Sequence, residues 1–102
     1  MPYRIEMTAE ADIDLQHLRK HEEVRVRGAL APHLAQEPAA PSHRRKPLDP
    51  NPHEADWQLR LGDLRVLYAI DEPARTVWVL RVGRKRGNRL YLRGVPVEMR
   101  LE

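Results

Sequence analysis

Residues 63–91 read DLRVLYAIDEPARTVWVLRVGRKRGNRLY, two apolar runs parted by a proline-bearing turn and followed by a run of positive charge. Leu64, Val66, Tyr68 and Ile70 share one parity, and Arg65, Leu67 and Ala69 the other, which is the period of a β-strand. Pro73 marks a turn over Asp71–Ala74. Thr76–Val82 is apolar on both parities until Arg81, so this strand is expected in the centre of a sheet. Upstream, Trp57, Leu59 and Leu61 alternate with Gln58 and Arg60, and Gly62-Asp63 is a two-residue hairpin turn. The expectation is an antiparallel meander that runs out into a basic loop after Arg81.

Working outward, Tyr3, Ile5 and Met7 alternate with Arg4 and Glu6, which predicts an N-terminal strand at a sheet edge. Thr8 is placed to cap a helix whose positive end suits Glu10, Asp12 and Asp14, with Ala11, Leu15 and Leu18 as its apolar stripe. A second helix is expected from about Glu22, with Val26, Leu30 and Leu34 on one face and a kink, or a break into two shorter helices, around Gly28 to Pro32. Between Pro38 and Asp56 lie five of the nine prolines, around His43, Arg44, Arg45 and Lys46, so this segment reads as irregular surface chain. Together these signals predict one α+β domain over residues 1–102, a helix hairpin packed on one face of a small antiparallel sheet.

The chain has 102 residues and no cysteine, which excludes disulfides and thiolate metal sites. No apolar run reaches the roughly 20 residues of a membrane span, and the start, MPYRIEM, lacks the pattern of a signal peptide. A cytoplasmic protein with no membrane partner and no cofactor is expected. The net charge is +3, unevenly placed: residues 1–37 hold five basic and seven acidic groups, and residues 38–102 hold thirteen and eight. Between Glu72 and Glu98 stand Arg75, Arg81, Arg84, Lys85, Arg86, Arg89 and Arg93 with no acidic residue. Such a patch attracts nucleic-acid phosphates. If the helices cover the Val66 face, the other face is left open with Arg60 and Arg65 on it. Arg60, Arg81, Arg84, Arg86 and Arg89, with Arg44, Arg45 and Lys46 from the linker, are the candidate RNA-binding residues. His17 and His21, at i and i+4, read as a solvated helix face rather than as a metal site.

Trp57, Leu59, Arg60, Gly62, Asp63, Arg65, Val66, Tyr68, Ile70 and Asp71, then Val77 to Gly83, then Lys85 and Tyr91 form a pattern that resembles the RelE/ParE superfamily of bacterial type II toxins. The motif covers about a third of the chain, and the preceding strand, helix hairpin and basic linker follow the family order. The resemblance implies a toxin of either of two kinds, a ribosome-dependent mRNA endonuclease or an inhibitor of DNA gyrase. It implies Arg65 as clamp of the scissile phosphate, Arg60 as a basic residue beside it, Lys85 as the second cation after Val82-Gly83, and Tyr91 as the group that activates the ribose hydroxyl. Gln58 stands where some relatives carry lysine, and Arg84 where many carry histidine. The tail after Tyr91, LRGVPVEMRLE, shows no clear helix.

Cleaving RNA through its own 2′-hydroxyl needs that oxygen deprotonated, the charge growing on phosphorus stabilised and the leaving oxygen protonated. On this reading Tyr91 is the general base, Arg65 the clamp, and Lys85 or Arg86 the acid or second clamp. Retention of Arg65, Lys85 and Tyr91 favours the endoribonuclease, acting on mRNA in the ribosome. The gyrase inhibitor and a non-catalytic RNA-binding module stand beside it. Either toxin implies a cognate antitoxin with an acidic segment that folds on the basic surface.

Overall fold

The computed structural model describes residues 1–48 and 55–100. Among them the meander forms as the alternation dictates. Strand β3 (Trp57–Leu61) turns through Gly62-Asp63 into β4 (Leu64–Asp71), and β4 turns into β5 (Thr76–Arg86). Gly62 takes a φ of 61° at the first turn, a conformation that costs glycine nothing. A short strand, β2 (Arg45–Pro47), joins the edge of β3, so the proline-rich segment is not wholly irregular. Pro47, without an N–H, is tolerated there because the edge leaves its outer side unpaired.

The expected basic loop is instead strand. β5 runs on to Arg86, turns at Gly87-Asn88 into β6 (Arg89–Leu92), and turns again at Arg93-Gly94 into β7 (Val95–Arg100). Arg84 pairs with Tyr91, Lys85 with Leu90 and Arg86 with Arg89. Successive charges in a strand point to opposite faces, so a dense run of cations near the sheet margin is compatible with a ladder. The C-terminal tail is accordingly a strand.

β5 is central, as its apolar composition predicts. One edge pairs with β4; the other serves two partners in succession. β1 (Arg4–Met7) runs parallel to it from Thr76 to Val79, and β6 takes over at Arg84. The gap between them is filled by α1 (Ala9–Gln16) and its cap. The Thr8 amide donates to the Val79 carbonyl (3.0 Å), the Thr8 hydroxyl donates to the Leu80 carbonyl (2.9 Å), and Asp14 accepts from the Val82 amide (2.9 Å). Thr8 Oγ1 also accepts from the Ala11 amide, the expected cap. Helix α2 (Lys20–Leu34) is one helix rather than two. Pro32 falls in its last turn, where the missing N–H forfeits one bond just before the helix ends.

Both helices pack on the predicted face. Leu15, Val26, Leu30 and Leu34 meet Leu59, Leu64, Val66, Tyr68, Val77, Val79 and Val82 in the main core. The Tyr68 hydroxyl donates to the Pro38 carbonyl at 2.7 Å, and Trp57 stacks on its ring. The other face is not the open cationic surface expected. It carries a second apolar cluster of Ala55, Leu67, Leu90 and Leu92 with Leu48, Leu80 and Val97 against it. The β6–β7 hairpin, absent from the sequence-based expectation, brings most of that cover.

Candidate functional site

Asp14 decides how the basic stretch is divided between architecture and surface. Its carboxylate, 1% exposed, faces the gap along β5. It accepts from Arg81 Nε (2.8 Å) and Nη2 (2.9 Å), from Arg93 Nε (2.7 Å) and from the Val82 amide (2.9 Å). Burial alone raises its pKa, but the hydrogen bonds from Arg81, Val82 and Arg93 outweigh burial and hold it below the usual carboxylate range. Arg93 also reaches Glu10 Oε2 at 2.6 Å. It stands in the two-residue turn between β6 and β7 at a φ of 52°, which side-chain-bearing residues rarely adopt. Arg84 is committed in the same way, to both oxygens of Glu22 and to Asp63 Oδ2, each at 2.8 Å. The Arg84 hydrogen bond is the main cause that lowers the pKa of Glu22 and of Asp63. Arg81 and Arg84, taken from the sequence as RNA contacts, thus tie α1 and α2 to the sheet. Arg45 donates to the Ala40 (2.8 Å) and His33 (3.1 Å) carbonyls. Arg44 is exposed, and Lys46 half-buried beside it.

The three residues expected to be catalytic do not share a face. Arg65 stands opposite Gly83, and Lys85 is two residues further along that strand, on the side of Leu67 and Leu90 away from the helices. Tyr91, opposite Arg84, lies on the helix side. Arg65 is 4% exposed. Its Nη1 donates to the Gly62 (2.6 Å) and Leu64 (2.8 Å) carbonyls, while its Nε is buried without a partner. Burial first, then the cross-strand Arg60, lowers its pKa, with Asp63 opposing. Gln58 Oε1, on the same side of the sheet, is likewise buried and unpartnered.

On the helix side, a cleft of about 280 Å³ opens between α1 and the β5–β6 hairpin. His17, Arg86 and Tyr91 line it together with Asp14, Arg84 and Arg93. The Arg86 guanidinium carbon lies 5.6 Å from the centre of the Tyr91 ring. Gly83 lets β6 lie this close to β5. A Cβ there would overlap the Tyr91 carbonyl oxygen and come within 2.7 Å of Leu92 Cδ2. Among the described residues Lys85, Arg86 and Arg89 form no ion pair, so the hairpin tip retains its charge. His17 and His21 do not share a helix, because α1 ends at Gln16 and α2 begins at Lys20.

The sequence model described as the ParE toxin of type II toxin-antitoxin system, parDE, matches residues 5–89. The chain belongs to this toxin family, within the RelE/ParE superfamily. The toxin's fold agrees with solved relatives. It is similar, at 31% identity and a TM-score of 0.68, to a chain of the RelBE2 toxin-antitoxin complex from Mycobacterium tuberculosis, covering 83% of this chain and 100% of that one. An archaeal RelE-RelB complex from Pyrococcus horikoshii matches at 25% identity over 85% of this chain and 98% of that chain, TM-score 0.60. A metal-bound toxin from Helicobacter pylori, at 24% identity over 80% of the toxin and 93% of that chain, TM-score 0.55, has the same fold. No curated protein sequence matches the toxin. Among its described residues no group of three or more His, Cys, Asp or Glu is placed to hold a metal ion, and no helix is long and apolar enough to cross a membrane.

Proposed function

We propose that this toxin is an endoribonuclease that cuts mRNA on the ribosome and so stops translation. The observation that carries the reading is the hairpin tip: Arg86 and Arg89 stay unneutralised on the Tyr91 side, with Arg86 over its ring, and Lys85 stays unneutralised on the opposite side. Three free cations on one short hairpin attract a phosphodiester backbone, and Tyr91 provides a hydroxyl for proton transfer beside it. On this geometry the clamp on the scissile phosphate is Arg86 rather than Arg65. Arg65 is buried, bonded to two carbonyls, and across the sheet from Tyr91. Substrate positioning falls to the ribosome, which compensates for the small number of catalytic groups on the toxin.

The partner that restrains the toxin is a cognate antitoxin, whose acidic segment orders on the hairpin and neutralises the same three cations. The solved relatives crystallised as toxin-antitoxin complexes support this part of the reading.

Gyrase inhibition is the second reading. It is favoured by the separation of Arg65 and Lys85 from Tyr91, since an inhibitor that only binds needs no convergent set. Induced expression in a bacterial host separates the two, with wild type beside Arg86→Gln and Tyr91→Phe and mRNA 5′ ends mapped after induction. New cuts within reading frames, lost in both variants, are expected. Growth arrest with DNA damage and no cuts overturns the ribonuclease and leaves the gyrase reading.

A further inference from the structure

The cleft beside Tyr91 holds a residue that its sequence position gives no reason to notice. His17 is the C-cap of α1, exposed, and lines the cleft with Tyr91 and Arg86. Its Nδ1 lies 3.0 Å from the Ile13 carbonyl oxygen. A carbonyl only accepts hydrogen bonds, so Nδ1 carries a proton, and in the neutral ring Nε2 is left with its lone pair. Helix α1 thereby fixes both the tautomer and the ring's attachment to the wall of the cleft.

The charged groups around His17 narrow its role. Asp14 is saturated by Arg81, Arg93 and the Val82 amide; Arg93 is held by Asp14 and Glu10; Arg84 is held by Glu22 and Asp63. None of these has spare capacity for proton transfer. Three groups remain uncommitted among the described residues: the His17 Nε2, the Tyr91 hydroxyl and the Arg86 guanidinium. They are a base, an acid and a clamp. The cleft, about 280 Å³, lies just below the roughly 300–1,000 Å³ typical of ligand sites. It suits one nucleotide turned out of a strand.

We propose that His17 is the general base of this cleft, taking the proton from the ribose 2′-hydroxyl of the nucleotide bound there. The inference rests on the ribonuclease reading and adds a catalytic residue to it. His17 Nε2 accepts the 2′-hydroxyl proton as the 2′-oxygen bonds to phosphorus, and the bond from phosphorus to the 5′-oxygen breaks. Tyr91 gives its proton to the departing 5′-oxygen, and Arg86 faces the non-bridging oxygens. The products are a 2′,3′-cyclic phosphate and a 5′-hydroxyl. The proton on His17 then returns through solvent to the Tyr91 phenolate, which restores both groups.

The test is single-turnover cleavage by the purified toxin on mRNA-programmed ribosomes, as a function of pH, for wild type, His17→Asn and His21→Gln. The asparagine amide keeps a donor for the Ile13 carbonyl but provides no base, so the cap survives. The wild-type rate is expected to fall on the acid side, as any reaction that needs an unprotonated general base does. His17→Asn is expected to lose about 100-fold or more and that acid limb with it, while His21→Gln stays within about twofold. A wild type that cuts, with His17→Asn equal to it in rate and pH profile, overturns His17 alone. A wild type that does not cut overturns the ribonuclease and the base together. A titration of the wild type with uridine 3′-monophosphate, read on the His17 imidazole NMR signal, checks the cleft itself; an unmoved signal at saturation removes the nucleotide from this site.

Discussion

Replacing Asp14 with asparagine isolates what joins α1 to the sheet. The wild-type carboxylate receives three hydrogen bonds from two arginines and one from the Val82 amide, at 2.7–2.9 Å. Asparagine keeps the volume and one carbonyl oxygen but removes the charge, so it leaves two guanidinium groups facing an amide. Removing one partner of a buried ion pair costs about 3–5 kcal/mol. The Arg81 side chain is 19% exposed against 0% for that of Asp14, so water recovers part of the loss. The expected cost is about 2–4 kcal/mol, a large share of the roughly 5–15 kcal/mol that stabilises a domain. Urea unfolding at pH 7 reads it as a lower midpoint at unchanged slope. A cycle with Arg81→Ala is expected to show a coupling of at least about 1 kcal/mol. The sign with pH follows from the lowered pKa. A carboxyl depressed on folding contributes its stability above its unfolded pKa, near ~3.9, and loses it as pH falls through the folded value. The gap between wild type and Asp14→Asn is therefore expected to close below about pH 4. A gap that stays constant down to pH 2, or no gap at pH 7, would refute the argument.

Gly83→Ala is expected to destabilise by about 1–3 kcal/mol, because the new methyl meets the Tyr91 backbone and the Leu92 side chain and β6 has to move; thermal melts and loss of the Arg84–Tyr91 cross-strand NMR contacts check it. The triple change Lys85→Gln, Arg86→Gln, Arg89→Gln removes three free cations without touching the Asp14 or Glu22 clamps. It is expected to flatten the log–log salt dependence of single-stranded RNA binding by about 2, at roughly 0.7 per contact, as read by fluorescence anisotropy. Arg65→Met is expected to leave mRNA cleavage intact and stability within about 1 kcal/mol, since burying an alkyl chain offsets the two lost carbonyl bonds. Loss of cleavage in a folded Arg65→Met protein would return the phosphate clamp to Arg65.

The apolar architecture was legible because it depends on local period. Val66 and Tyr68 alternate within their own strand, and Val26, Leu30 and Leu34 repeat at helical spacing within their own helix. Neither needs knowledge of the rest of the chain. The charges were read less well because their partners are remote. Arg84 finds Glu22 at a separation of 62 residues, and Arg81 finds Asp14 at 67. A window from Glu72 to Glu98 contains the cations and none of the anions that neutralise them. Charge density also hid the β5–β6 hairpin, although Gly87-Asn88 and Arg93-Gly94 are two-residue turns of the kind that close strands.

One signal pointed to the division of these charges. Asp14 falls in register with Ala11, Leu15 and Leu18, the i, i+3, i+4, i+7 stripe of α1, so the helix face that enters the core carries a carboxylate. A buried carboxylate without partners is too costly to persist, and its presence there requires cations brought from elsewhere in the chain. The one-signed segment provides two of them. Arg81 and Arg93, flanking the hairpin on both sides, are thereby assigned to Asp14, and the cations between them, apart from Arg84, remain for a polyanion. The same pairing draws α1 against β5 and sets its C-cap, His17, in the wall of the cleft that Tyr91 also lines. The residue that spends the positive charge on architecture is thus also the one that assembles the cleft.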